Sequence, residues 1–253
     1  MTVIVAYKYA SNPQEATVGA DGVVDWLRAK AAVSDYDPVA ITLARQLAAE
    51  VGTEVVGVSV GTTAVSSSLA KKNALSRGLD RALVVADDDV ATWNTTTVAS
   101  AIAELAKQIG DAEILITGDS SVDNVARMTS ALVAGYLGWP CFQEVDSVTK
   151  DGDSFVLKQR IDGGTRTLKV AGPIVVGATS DAVVAPVPSM KDILAAGKKP
   201  LEAAQLADLA VHRAELTIAG RSKPVSKARK NVLLKGENAA AELVAALRAD
   251  NVL

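Results

Sequence analysis

One cysteine, Cys141, and one histidine, His212, occur in the 253 residues. A single thiol forms no internal disulfide, and that scarcity fits a reducing compartment. The pair also falls short of the ligand set of an ordinary zinc site. Aromatic residues make up 4% of the chain while hydrophobic residues make up 49%. A core built mostly from Ala and Val suits closely packed α/β layers more than a β-sandwich. Neither sign of charge dominates, since 26 Lys and Arg face 29 Asp and Glu, and no global basic field points to nucleic acid. No run reaches the ~18 uninterrupted apolar residues of a membrane span. The opening residues, Met1-Thr2-Val3-Ile4-Val5-Ala6-Tyr7-Lys8, lack the basic n-region and the long apolar run of a signal peptide. The expectation is a cytoplasmic protein with no nucleic-acid partner and no membrane insertion.

Several catalytic signatures are missing too. There is no G-x-x-x-x-G-K-[ST] loop and no G-x-G-x-x-G after the first strand. There is no G-x-S-x-G nucleophile elbow. His212 lies in a C-terminal tail, where a lone histidine reads as a surface residue. Cys141 beside Trp139-Pro140 reads as a packed thiol. Asp87-Asp88-Asp89 has the chemistry for magnesium but reads as a solvated acidic loop. Without a nucleophile–base pair or a metal cluster, the chain reads as a binder or carrier rather than a catalyst acting alone.

Strand and helix signals alternate. Val3–Tyr7 is a central first strand by its apolar continuity. Thr17-Val18 and Val23–Trp26 form a small hairpin around Asp21-Gly22. Asp37-Pro38 opens a helix, with Asp37 as N-cap before a proline at N1; Ile41, Ala44, Leu47 and Ala48 line its buried face. Glu54–Gly61 and Arg81–Ala86 are further strands, and each is followed by a helix. The second of these helices carries Val98, Ile102, Leu105 and Ile109 in register. Four such alternations predict an open, mostly parallel, Rossmann-like sheet with helices on both faces.

The fourth alternation organises the rest. Ile114-Leu115-Ile116 is a short apolar run, as in a strand covered on both faces. Gly118 permits a sharp turn. Ser120, Ser121 and Asp123 are competent N-caps, and Ser120 to Asp123 has capping-box spacing; Met128, Leu132 and Tyr136 then recur at helical spacing. Such a turn either offers backbone N–H groups and a helix dipole to an anion such as phosphate, or simply caps a helix.

After Gly138-Trp139-Pro140 the pattern changes. Phe142–Thr149, Phe155–Arg160, Thr165–Val170 and Ile174–Ala178 predict an antiparallel meander extending the sheet. Val183–Pro188 is an apolar, proline-punctuated loop, and Lys191–Ala196 is compatible with one or two helical turns. The expected division is a nucleotide-binding α/β domain over residues 1–200 and a C-terminal arm over 201–253. That arm, ending in a helix from near Asn238 with Leu243, Val244 and Leu247, is expected to pack on another chain.

Several stretches together resemble the beta subunit of electron transfer flavoproteins: Val3–Lys8, Val58–Gly61, Ala74–Ala82, and above all Leu132–Pro140, Arg160–Gly164 and Pro188–Pro200. Val33–Asp37, Leu75–Gly78 and Pro188–Lys191 are most similar to the Fix-type branch associated with anaerobic carnitine reduction. The resemblance implies a heterodimer whose alpha subunit mainly holds the redox-active FAD, while beta itself holds AMP or a second FAD. It implies redox partners of the acyl-CoA-dehydrogenase or crotonobetainyl-CoA-reductase kind, and a quinone-linked oxidoreductase.

Carried onto this sequence, the nucleotide site would comprise Ala6; Tyr36, Asp37, Pro38 and Val39; and Val60. The phosphate turn would run through Gly118, Asp119, Ser120, Ser121, Val122, Asp123, Asn124, Val125, Ala126, Arg127, Met128 and Thr129. Residues 183–199 would be the recognition loop that docks a dehydrogenase, with Pro188, Ser189, Lys191, Ile193 and Leu194 around an apolar anchor at Met190. The chain departs from the family at Tyr36, where asparagine is common, at Asp119–Val125, where a lysine-glutamine-alanine turn is usual, and at the shortened run Lys198-Lys199. The rival readings are a free-standing adenine-nucleotide-binding enzyme, such as an ATP pyrophosphatase, and a stress-type nucleotide sensor. The first needs a glycine-rich, serine-containing turn where Tyr9-Ala10-Ser11-Asn12-Pro13 stands.

Overall fold

A computed structural model describes every residue except 217, 218, 220–224, 226, 227 and 230. The chain divides into two units, Met1–Thr217 and Ile218–Leu253. Most of the basic stretch 221–230 lies outside the described residues.

In the first unit, β1 (Thr2–Ala6) leads into four short strands: β2 (Tyr9–Ser11), β3 (Thr17–Val18), β4 (Val24–Asp25) and β5 (Ala31–Val33). β2 pairs antiparallel with β5, and β3 with β4, which is the hairpin expected around Asp21-Gly22. Strands and helices then alternate through α1 (Asp37–Val51), β6 (Val55–Gly61), α2 (Ser68–Leu75), β7 (Arg81–Ala86), α3 (Thr95–Ile109), β8 (Ala112–Gly118) and α4 (Thr129–Leu137). β9 (Cys141–Asp151), β10 (Ser154–Ile161), β11 (Gly164–Ala171), β12 (Ile174–Ala178), α5 (Met190–Ala196) and β13 (Leu201–Ala203) complete it. The second unit contains α6 (Ala239–Ala249), with Leu243 and Val244 exposed.

Nine strands form one sheet in the order β11-β10-β9-β12-β8-β1-β6-β7-β13. Pairing is parallel from β9 to β13 and antiparallel through β9, β10 and β11. The mostly parallel α/β architecture is therefore the one the alternation predicts. Its apolar strands have the physical reason expected of them. Val3 and Val5 face one layer with Ile114, Ile116, Ile174 and Val176, while Ile4, Leu115 and Val175 face the other. α1, through Ile41, Ala44, Leu47 and Ala48, covers the first layer; α3 and α4, through Ile102, Leu105 and Val133, cover the second. Each fully buried large aliphatic contributes roughly 1.5–3 kcal/mol.

The meander needs a correction. β9, β10 and β11 are antiparallel, but β12 leaves the ribbon and inserts between β9 and β8, parallel to both. All five of its residues are buried. A continuous apolar run is compatible with a strand covered on both faces, which an edge meander would leave half exposed.

The sheet also continues past residue 200, since β13 adds to β7. Beyond it the chain lies along α3. The His212 N–H donates to Ser100 Oγ at 2.8 Å, and Asn94 Nδ2 donates to the Ala214 carbonyl at 2.8 Å. No helix among the described residues is long and apolar enough to cross a membrane.

Candidate functional site

Strand order reverses at β1. The chain steps from β1 to β6 and β7 on one side, then returns to place β8 on the other. Ligands in open α/β sheets bind at the carboxyl ends of strands beside such a reversal. Ala6 ends β1, Gly118 ends β8 and Val60 lies near the end of β6. Ala6 is in register with Thr117 and with Val58, so these predicted residues share one edge.

The start of α1 joins them. A Cβ placed on Gly118 would stand 2.7 Å from Asp37 Oδ1 and 3.0 Å from the Tyr36 carbonyl carbon. Glycine is required there because the end of β8 runs against the first turn of α1. Asp37 is not the N-cap that the Asp-Pro order predicts. Tyr36 occupies that position without a side-chain cap, and the Asp37 carboxylate instead accepts the Lys8 N–H at 2.7 Å. The tertiary bond replaces the local one because burial makes an unsatisfied carboxylate costly. Burial raises the Asp37 carboxyl to about 7, against the opposing Lys8 hydrogen bond and the charges of Lys8 and Arg77. Burial and the Asp37 charge also hold the Tyr7 phenol above its ordinary value.

The segment after Gly118 also differs from expectation. No helix begins at Ser120–Asp123; α4 starts at Thr129, and its N-cap, Met128, makes no side-chain cap. Residues 119–128 form a loop held by two long-range contacts and an internal ion pair. Lys8 Nζ meets Asp123 Oδ2 at 2.5 Å, the Val122 N–H donates to Ser34 Oγ at 3.4 Å, and Arg127 pairs with Asp119. Val125 and Arg127 adopt φ of 51° and 52°, a left-handed conformation that interrupts a right-handed helix. Asp123 is therefore spent on Lys8 rather than on a capping box. Burial alone would raise its pKa, but the Lys8 hydrogen bond and charge hold it below the ordinary carboxylate range.

Gly118 thus abuts Tyr36 and Asp37, while Lys8 and Ser34 hold Asp123 and Val122 of the loop; Ala6 and Val60 lie along the same strand edge, and Pro38 and Val39 in the first turn of α1. Asn124, Val125, Ala126, Arg127 and Met128 are exposed, and Thr129 starts α4. Lys8 and Ser34 hold the loop although sequence reading assigned neither to the site; the signals were Lys8 directly following a central strand and Ser34 within the Val33–Asp37 stretch that carries the resemblance. Among the described residues, Ser120 Oγ and Asp123 Oδ1 of this loop are buried without a hydrogen-bond partner, as is Arg77 Nε just beyond α2. Unsatisfied buried polar atoms are uncommon and point to a missing ligand or water. Of these, a hydroxyl such as that of Ser120 suits a phosphate oxygen, whereas Asp123 Oδ1, an acceptor, suits a hydroxyl or amine group.

Asp87, Asp88 and Asp89 are otherwise engaged. Asp87 caps a short 3-10 turn, Asp88 accepts from the Thr63 N–H and hydroxyl, and Asp89 pairs with Arg213 at 2.7 Å. Among the described residues no group of three or more metal-type ligands converges.

The predicted docking segment is elsewhere. Met190 and Leu194 are 72% and 67% exposed, Ser189 and Lys191 are exposed, and Pro188 and Ile193 are half-buried. Ser189 and Asp192 form a reciprocal capping box that starts α5. At its far end Ala196 enters the core, and Lys199 Nζ donates to the carbonyls of Leu75 and Leu79 at 3.1 and 2.5 Å. An exposed apolar turn is thereby fixed to the body of the first unit.

Residues 21–209, well over half of the chain, match the model of the electron transfer flavoprotein domain. That range begins at the β3–β4 hairpin and includes the docking segment and the candidate site apart from Ala6 and Lys8. With this match the chain belongs to the electron transfer flavoprotein domain family, whose role is flavin-based electron transport.

Proposed function

We propose that this chain is a beta-type subunit of the Fix-type, carnitine-reduction-linked branch. It pairs with an alpha subunit that mainly holds the FAD, and it carries AMP or a second FAD at the switch-point site. The complex passes electrons between an acyl-CoA-dehydrogenase-like or crotonobetainyl-CoA-reductase-like partner and other redox proteins, a quinone-linked oxidoreductase among them. The chain acts as a carrier component rather than as a catalyst on its own. FAD supplies the electron-accepting chemistry; this chain binds, orients and docks.

The observation carrying the nucleotide assignment is the pair of unpartnered buried polar atoms, Ser120 Oγ and Asp123 Oδ1, on the loop that follows Gly118 at the strand-order reversal. Ser120 and Asp123 would contact the nucleotide, while Lys8 holds Asp123 in place. The docking assignment rests on Met190 and Leu194, apolar and exposed on a helix capped at its start and anchored at its far end. A flexible thioether suits a short-lived contact with a partner's pocket. In the proposed domain scheme residues 1–200 do this work and residues 201–253 clasp the partner subunit.

The test is a nucleotide count. The co-purified complex is denatured, and released FAD and AMP are quantified per heterodimer. One FAD with one AMP supports a carrier with a structural nucleotide here. Two FAD without AMP puts a second flavin in this subunit. Absence of both a partner and any flavin overturns the proposal.

A further inference from the structure

The loop after β8 is held from two sides. Lys8 and Ser34 fix its first half, through Asp123 and Val122. Its second half is fixed from the antiparallel ribbon, by a side chain of β9. Gln143 Nε2 donates to Ser130 Oγ at 3.0 Å and to the Arg127 carbonyl at 3.3 Å. Those acceptors lie at the end of the loop and in the first turn of α4. Arg127 in turn pairs with Asp119, directly before Ser120. One amide group is thereby linked, through Arg127, to the start of the loop as well as to its end.

β9 is distorted where Gln143 leaves it. Val176 of β12 is in register with Phe142, and Ala178 with Val145, so Gln143 and Glu144 together face the single residue Gly177. This is a β-bulge, a device that re-aims side chains beside functional sites. Glu144 adopts φ of 56°, a left-handed conformation that is costly for a residue with a Cβ. It lies 3.9 Å from Arg127, so both bulge residues reach the same loop residue.

The bulge is braced from behind. The Gln143 carbonyl accepts from Gln159 Nε2 of β10 at 2.7 Å, and Gln159 Oε1 accepts from Arg166 Nε of β11 at 2.8 Å. Chemistry fixes the orientation of both amides, because arginine only donates and a carbonyl only accepts. A continuous strut therefore runs from the edge strand β11, across β10 and β9, to the loop.

We infer that Gln143 is a positioning residue of the nucleotide site, aimed by the β9 bulge and backed by Gln159 and Arg166, that keeps the loop in the shape presenting Ser120 and Asp123. The inference rests on the nucleotide-binding reading proposed above. It gives the ribbon β9–β11, which carries none of the expected site residues, a part in that binding.

The experiment measures AMP and FAD binding by calorimetry on the full chain stripped of endogenous nucleotide, with amide hydrogen exchange alongside. Gln143→Leu keeps the bulk and removes the donor. It is expected to weaken whichever ligand binds by about threefold to tenfold, the net loss of a hydrogen bond, with faster exchange over residues 126–130. Gln143→Lys restores a donor and should recover part of the loss. Arg166→Met, two strands away, should weaken binding by about twofold, as the end of a shared network. The double variant Gln143→Leu/Arg166→Met should bind no more weakly than Gln143→Leu, since the strut acts through Gln143; independent structural damage would multiply the two effects. The inference is overturned if Gln143→Leu binds AMP and FAD as wild type does, if Gln143→Lys recovers nothing, or if the two effects multiply. Wild-type chain that takes neither AMP nor FAD overturns the nucleotide-binding reading. Unchanged exchange over residues 126–130 in Gln143→Leu overturns the positioning role by itself, so the two failures are distinguishable.

Discussion

Lys8 and Asp123 stand 115 positions apart in the chain, yet Lys8 Nζ lies 2.5 Å from Asp123 Oδ2. The pair ties the residue after β1 to the loop after β8, the two neighbouring strands between which strand order reverses. The loop's shape therefore depends on an ion pair rather than on a helix cap.

Breaking that pair should loosen the loop before it unfolds the protein. Lys8→Met leaves a half-buried carboxylate without its cation. The expected cost is about 1–2 kcal/mol, between the values for exposed and fully buried pairs. Urea denaturation measures the cost, and amide hydrogen exchange should rise first over residues 119–128. The double variant Lys8→Met/Asp123→Asn should recover part of the loss; strict additivity would show that the two side chains do not interact.

Gly118 and Gly135 should respond in opposite directions to alanine. At Gly118 the new methyl meets Asp37 Oδ1 at 2.7 Å and the Tyr36 backbone at 3.0 Å. Overpacking there should destabilise by about 1–3 kcal/mol and reduce nucleotide retention. At Gly135, an exposed position within α4, nothing lies within 4 Å of the added methyl. That substitution should stabilise by about 0.5–1 kcal/mol. Paired thermal melts decide both.

Asp37 gives a pH dependence of defined sign. Its folded-state pKa, raised by burial to about 7, lies above the ordinary carboxylate value. Between those two values the folded state binds more protons than the unfolded chain, so stability falls as pH rises from about 4 to about 7 and levels off above. Asp88, Asp146 and Asp192, whose pKa values are lowered by hydrogen bonds to their partners, act in the opposite sense at lower pH. The informative quantity is therefore the difference between wild type and Asp37→Asn. Denaturant midpoints across pH 4 to 8 should show the variant gaining on wild type as pH rises; a constant offset would refute the assignment.

Docking should separate from folding at Met190. The side chain is 72% exposed, so Met190→Glu should change stability by less than about 0.5 kcal/mol. Electron transfer from the partner dehydrogenase should slow through a raised apparent KM for the carrier, with turnover at saturation less affected. Lys199→Met should instead loosen α5, since its ammonium holds the Leu75 and Leu79 carbonyls. Faster amide exchange over residues 190–197 is the expected sign.

Local chemistry made much of this legible. The apolar runs at Val3, Val55, Arg81 and Ile114 became parallel strands close to their predicted bounds, because a strand buried on both faces needs continuous hydrophobic residues. The face of α1 and the exposed turn before Ala196 could be read from spacing and neighbouring prolines alone. The residues expected at the strand ends, Ala6, Val60 and Gly118, share an edge because strand register follows from those runs.

What only the tertiary structure decided are relations between residues far apart in the chain. The sequence determined that Ser120 and Asp123 had capping-box spacing; Lys8, 115 positions from Asp123, claimed that carboxylate and delayed α4 to Thr129. Asp37 stood where helices are capped, but burial and the Lys8 N–H gave it another partner. The apolar composition of β12 determined a strand, while its place between β9 and β8 followed from the free edges that the other strands left. The physical reason is the same in each case. Local propensities differ by about 1 kcal/mol or less per residue, whereas leaving a buried charge unpaired or a large apolar strand face in water costs several times more.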